Sequence, residues 1–302
     1  MHEFLSPSRC RCVSVALFLG LTASVARAQQ RSTPDTSAAS PHSAQSSLGN
    51  QDQRTPETQA NDELLAKASK LYFSTASVGL DGFDCAIQPD WHTLFVSTNK
   101  GVAFAEDDSR IVLLKKVKVT LHARVKGGST IDWVPDPGQT LNQDSTSQLD
   151  QMHKATEQTL RGFLQFWIPF VDGSVVPSNS KGLQISKTAT GFTFHAASNG
   201  TEVTEIMSND LILQQYNVVT AGSSIKFAPS YESSEKGLLV NRFVAHIQQI
   251  GPPPGPVREM HVEIYYKTIS EIPIPAKLNV EVIGTGIFNF AFDGCQVSKA
   301  PK

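Results

Sequence analysis

From Gly182 to Val297 the chain alternates apolar and polar residues in short segments, each closed by a Gly, Pro, Asn or Ser cluster. Period-two alternation between turn residues is the signature of antiparallel strands joined as a meander. Phe192-Thr-Phe194-His-Ala196 passes through Ser198-Asn199-Gly200 into Thr201 to Ile206, and Asn209-Asp210 leads into Leu211 to Thr220. Ile225 to Pro229, Leu238 to Gln249, Val257 to Thr268, Ala276 to Val282 and Ile287 to Phe292 continue the series.

The N-terminal half switches period. Leu64, Leu65, Ala68, Leu71 and Tyr72 recur on one helical face, so a helix capped by Asn61 or Asp62 is expected to run to about Ser77, with Gly79 ending it. Gly82 to Ile87 reads as a first strand and Trp91 to Thr98 as a short helix. Val112 to Lys126 alternates cleanly: Val117, Val119, Leu121, Ala123 and Val125 face one way, and Lys116, Lys118, Thr120, His122, Arg124 and Lys126 the other. Gly127-Gly128 then turns it into Thr130 to Val134. The basic row fits an anion site or the solvated face of a half-exposed strand, and the second reading is the more economical. Leu149, Met152, Thr156, Leu160, Phe163, Leu164 and Trp167 follow a 3–4 spacing, which predicts a helix over about 147–168 that Pro169 terminates.

The expected fold class is therefore α+β: a strongly curved antiparallel sheet of about ten or more strands, a half-barrel, with helices on its concave face. A helix crossing such a sheet leaves room for a ligand beside it. The large apolar residues on the helix and the facing strands are the candidate ligand contacts: Leu160, Phe163, Leu164, Trp167, Phe192, Phe194, Phe288 and Phe290. Each is equally a candidate for plain core.

Export changes how the first 60 residues are read. Arg9 and Arg11 precede the apolar run Val13 to Val25, and Ala26-Arg27-Ala28 follows, as in a secretory signal peptide cut after Ala28. The run is too short for a membrane span, which needs roughly 18 or more apolar residues, and no later segment of the sequence is apolar enough to span. Residues 29–60 hold no aromatic residue and are rich in Ser, Thr, Gln, Pro and Ala, the composition of a disordered tether. Residues 61–302 are left as a single α+β domain, in the periplasm or outside the cell.

Cleavage removes three Arg and one Glu, leaving 23 basic and 27 acidic side chains and a net charge of −4. Weak acidity argues against a nucleic-acid partner. Cys10 and Cys12 leave with the signal, so Cys85 and Cys295 remain, in the similar contexts Phe83-Asp84-Cys85 and Phe292-Asp293-Gly294-Cys295, and in an oxidising compartment they are expected to form a disulfide.

No nucleophile elbow, zinc-binding His-Glu-x-x-His helix, phosphate loop or dinucleotide fingerprint occurs. The histidines of the mature chain (His42, His92, His122, His153, His195, His246, His261) nowhere stand three or four apart. Neither a cofactor nor a catalytic set is expected.

Tyr265-Tyr266-Lys267-Thr268-Ile269 reaches a short turn at Ser270-Glu271, and Ile272-Pro273-Ile274-Pro275 with Lys277 opens the next strand towards Val282. This hairpin, within residues 257–292, resembles those of the exported half-barrel carriers typified by the outer-membrane lipoprotein carrier. The resemblance implies a sheet wrapped around helices with acyl chains held in the hollow. It carries no ligand-contacting residue over to this chain. The leading expectation is a non-enzymatic envelope protein that binds or carries a hydrophobic ligand, a lipid or a lipoprotein acyl chain. The alternative is a protein–protein interaction module with a filled core, whose partner is another envelope protein and whose best feature is the stiff loop Gly251 to Pro256. A hydrolase comes third.

Overall fold

The structure, a computed structural model, describes residues 55–99, 101–125, 128–136, 138, 143–172 and 175–300. The expected signal peptide and the expected tether before Thr55 lie outside the described residues. The tether's last residues are helical: α1 spans Pro56–Ser69. Its cap is Thr55 rather than Asn61 or Asp62, because Thr55-Pro56-Glu57 joins a capping hydroxyl, a proline in the first turn and an acid at the positive end of the helix. Thr55 Oγ1 accepts from the Thr58 amide at 3.2 Å. Asp62 instead accepts from the Ser180 amide and hydroxyl at 2.8 and 2.7 Å, tying α1 to the segment before β4.

The helix does not reach Ser77. The chain straightens after Ser69, Tyr72 bridges to Leu238, and the Phe73 amide donates to the Leu238 carbonyl at 3.0 Å. A single turn, α2 (Thr75–Val78), follows and is closed by Gly79 in the left-handed conformation at φ 67°. β1 (Leu80–Pro89) leads into α3 (Trp91–Thr98), whose cap is Asp90, accepting from the Thr93 amide at 3.0 Å. The alternating stretch that starts at Val112 divides in two. Its first residues belong to a short helix, α4 (Ser109–Lys115), capped by Asp108, and only Lys118–Arg124 forms β2. β3 (Thr130–Val134) completes the N-terminal strands.

α5 (Gln143–Asp172) is 30 residues long and passes through position 169 without ending. It begins earlier and runs further than its apolar spacing alone implied. The meander then supplies β4 (Leu183–Lys187), β5 (Gly191–Ser198), β6 (Thr201–Ser208), β7 (Leu213–Val219), β8 (Ser223–Ser234), β9 (Gly237–Gln249), β10 (Arg258–Ile269), β11 (Ile272–Val282) and β12 (Gly286–Lys299).

All strands join one open antiparallel sheet of 12 in the order β3-β2-β1-β12-β11-β10-β9-β8-β7-β6-β5-β4. The last strand therefore pairs with the first. The edges are β3 and β4, the two strands that α5 connects. At 1.5 Å per residue α5 is about 45 Å long, close to the roughly 53 Å that twelve strands occupy at about 4.8 Å spacing.

The β1–β12 seam carries the disulfide Cys85–Cys295, with Cα atoms 4.2 Å apart and a sequence separation of 210. It sits at a bulge, where β1 steps from Asp84 opposite Gln296 to Ala86 opposite Asp293. Gly294, at φ 56°, supplies the backbone conformation that the extra residue needs.

The buried apolar residues form two clusters. The larger joins α3, α4 and α5 to β1, β2 and β8–β12. The smaller joins α1, Tyr72, Val175 and Val176 to Phe194, Met207, Leu211 and Leu213. Phe170, Tyr216 and Tyr231 pack against both clusters and mark the seam between them.

Candidate functional site

The eight candidate ligand contacts fall on both sides of that seam. Leu160, Phe163, Leu164 and Trp167 of α5 and Phe288 and Phe290 of β12 belong to the larger cluster, none more than 3% exposed. Trp167 lies edge-on to Phe83 with ring centroids 6.0 Å apart and stacks on Phe163 at 5.9 Å. Its indole nitrogen donates to the Tyr266 hydroxyl at 2.8 Å, which donates onward to the Val240 carbonyl at 2.7 Å. Phe194 is fully buried and Phe192 half-buried, and both belong to the smaller cluster. The structure thus brings six of the eight together and sets Phe192 and Phe194 apart with a different set of neighbours.

An aromatic run that the helical spacing did not single out links the two regions. Phe166 stacks on Phe227 at 6.2 Å, Phe227 on Phe243 at 4.5 Å and on Phe170 at 4.8 Å, and Phe170 meets Tyr216 edge-on at 6.1 Å. The run ends at the seam, where the chemistry changes.

Glu205 of β6 is only 5% exposed. Cross-strand register places Phe194 of β5 on one side of it and Tyr216 of β7 on the other. Tyr231 and Tyr72 complete the surroundings, their rings edge to face at 5.4 Å. The Tyr72 hydroxyl donates to the Leu211 carbonyl at 3.0 Å, accepts from the Leu213 amide at 2.7 Å and also accepts from the Tyr231 hydroxyl. Glu205 Oε2 has no hydrogen-bond partner, as is also true of the buried Thr156 Oγ1 and of Asn217, Asn241 and Asn279 Oδ1, but Glu205 is the one buried acid among the described residues. An unpaired buried polar group costs free energy, and a buried carboxylate far more, so the carboxyl keeps its proton. Burial pushes Glu205 up to about 8, with no cation acting against it. Burial likewise lifts the Tyr72 phenol to about 12 and carries Tyr216 and Tyr231 higher still, the nearby Glu205 adding to each.

Sequence reasoning missed Glu205, although its signal was present. In Thr201 to Met207 the inner positions are Thr201, Val203, Glu205 and Met207, so a carboxyl stands in the apolar register of its strand.

The outer face behaves differently. The basic row of β2 is met by acids on its neighbours: Arg124 Nη2 reaches Asp84 Oδ1 at 2.8 Å, and His122 lies 2.6 Å from Asp84 and 3.3 Å from Asp132. Burial would raise Asp84, but the hydrogen bonds from His122 and Arg124 outweigh it and hold that carboxyl below its ordinary value. Glu259 lies between His261 at 2.5 Å and His246 at 3.3 Å. The His261 hydrogen bond is the main reason its carboxyl is also lowered. Apart from Glu259–His261, which lies within β10, these are cross-strand pairs of a half-exposed face. Among the described residues no group of three or more His, Cys, Asp or Glu is placed to hold a metal ion, and no helix is long and apolar enough to cross a membrane.

No protein-family model, curated protein or solved structure matches the chain.

Proposed function

We propose that the protein is an exported, non-enzymatic binder or carrier of a hydrophobic ligand held between α5 and the inner face of the sheet, the ligand's polar end meeting Glu205 at the seam. The observation that carries this reading is Glu205 Oε2, a buried carboxyl oxygen left without a hydrogen-bond partner in a largely apolar region. A folded interior leaves few such groups, and each one asks for a partner, water or ligand. Phe192 and Phe194 then contact the ligand's apolar part, and Leu160, Phe163, Leu164, Trp167, Phe288 and Phe290 form the wall behind it.

The reading takes the sheet as a half-barrel with α5 on its concave side. Trp167 supports this, because it touches Phe83 of β1 and Tyr266 of β10. Those strands are three spacings apart, about 14 Å, and side chains converge on one ring in this way when a sheet curves inward. The hairpin that resembles those of the half-barrel carriers is β10–β11, with Tyr265 opposite Lys277 and a bulge at Tyr266. The Cys85–Cys295 disulfide fits a periplasmic or secreted location.

One observation favours the alternative, an interaction module whose partner is another envelope protein. The α5 residues proposed as a wall are as buried as any core residue, and both sheet edges are open. Native mass spectrometry of the purified protein and titration with a fluorescent fatty acyl probe separate the two. A co-purified lipid or saturable binding is expected; absence of both overturns the carrier reading in favour of the module.

A further inference from the structure

We propose that Glu205, with the rings of Tyr72, Tyr216 and Tyr231, forms a site for an ammonium group, so that the bound ligand is a cationic amphiphile. This rests on the carrier reading and adds to it the chemical class of the head.

The argument begins with what the seam lacks. The shift of Glu205 arises from burial alone, with no Lys, Arg or His opposing it. A phosphate or carboxylate head would bring a second acid against the first with no cation to hold either. An uncharged hydroxyl head could hydrogen-bond to Glu205, but would make no use of the rings. An ammonium head uses every group present. It gives the buried carboxyl the opposite charge that such a group requires. The faces of tyrosine rings attract cations, more strongly away from water. The rings also come from three separate parts of the chain: Tyr72 before α2, Tyr216 on β7 and Tyr231 on β8. Partly buried apolar neighbours remain for the tail, among them Leu183, Ile185 and Phe192.

Binding has a proton balance. Below pH 8 the free carboxyl is protonated, and a quaternary ammonium brings no proton, so each binding event releases one proton from Glu205 to solvent. The groups facing Glu205 do not titrate in that range. The three phenols lie at about 12 or above, and Phe194 of β5, Phe170 of α5, Leu65 and Ala68 of α1, and Val175 and Val176 carry no ionisable group.

The test uses the mature protein and three probes with the same twelve-carbon tail: dodecyltrimethylammonium, dodecanol and laurate, each below its micelle concentration. At pH 7 the ammonium probe is expected to bind about tenfold or more tighter than the alcohol, with laurate weakest. Its affinity should rise about tenfold per pH unit up to about pH 8 and level off above. Glu205→Gln keeps the shape of a neutral carboxyl; it should abolish the preference and the pH dependence while alcohol binding stays within about twofold. Tyr231→Leu, which removes one ring and leaves the carboxyl, should weaken the ammonium probe alone. Saturable binding in which alcohol or laurate matches the ammonium probe, or an unchanged preference in both variants, overturns the inference and leaves the carrier reading intact. Failure of all three probes overturns both.

Discussion

The two halves of the interior are built on different terms. The larger cluster is mostly apolar and fixed across its first and last strands by Cys85–Cys295, with the Trp167 indole and the Tyr266 hydroxyl satisfied by each other and by Val240. The smaller cluster adjoins a carboxyl and three phenols and leaves Glu205 Oε2 unmatched. Its cover, α1, is held by two hydrogen bonds from Ser180 to Asp62, by the Tyr72 hydroxyl and by the short bridge to Leu238. The two regions share one sheet but draw on different strands, β1, β2 and β8–β12 for the larger and mainly β4–β7 for the smaller. Unpartnered side-chain oxygens occur in both, but a buried acid among the described residues stands only in the smaller.

The disulfide offers the largest test of that contrast. Replacing both cysteines with serine frees a loop of 210 residues, and the chain-entropy argument puts the loss at about 5 kcal/mol. Chemical denaturation of reduced and oxidised protein measures it; peptide mapping without reductant should recover the two cysteine peptides joined.

Truncation on either side of the seam comes next. Trp167→Ala empties a fully packed position and should cost about 3–5 kcal/mol. Phe192→Ala, in the half-buried part of the smaller cluster, should cost about 1–2 kcal/mol. Equal losses in the two variants would erase the distinction between the regions.

Acidity sharpens it further. Glu205 is raised in the folded state from 4.5 to about 8, so below its unfolded value its contribution is fully present, and it is lost as pH rises through the folded value. Between about pH 5 and 8 the wild type should lose stability relative to Glu205→Gln, at no more than about 1.4 kcal/mol per pH unit. Denaturation midpoints of both proteins across that range give the slope. A flat difference would show that the carboxyl is solvated or paired in solution.

The smallest effect concerns the start of α1. A chain beginning at Thr55 should match the mature protein within error, whereas one beginning at Asn61 loses the Thr55 cap and the first turn, costing about 1 kcal/mol.

The meander was legible because its alternation is strict and its turns are chemically marked. Asn199-Gly200, at φ 50° and 74°, turns β5 into β6 as the Asn-Gly pair predicts. Pairing Cys85 with Cys295 needed only their number and compartment. The α1 start was misplaced because Asn61 and Asp62 are good capping residues in a helix already begun, and the Thr55-Pro56-Glu57 signal lay in a stretch whose composition argued for disorder. Pro169 did not stop α5: a proline removes one backbone donor, and the apolar residues beyond it, Phe170 and Val171, gain burial by continuing the helix. Glu205 was overlooked for a simpler reason. Acidic residues on strands are normally assigned to the solvent side, and only the register of Val203 and Met207 reveals this one as inward. Alternation says nothing of which strand is a neighbour, and only the expected Cys85–Cys295 bridge tied the first strand to the last, as the β1–β12 pairing has it.

That adjacency of first and last strands sets a timetable. At about 5–20 residues per second during synthesis, Cys295 emerges roughly 10–40 s after Cys85. β1 and β2 can pair with each other early, and the meander can zip strand by strand, but the other side of β1 waits for residues 286–299. Throughout that interval an unpaired strand edge beside Phe83 and Ile87 is available to any other chain. A chain that stalled before Gly286 would possess all but one of its strands and still display β1 and β11 as raw edges, with the Cys85 thiol free. Completion of the sheet, closure of the cross-link and removal of its most adhesive edge are thus a single late event, decided by the last strand to be made.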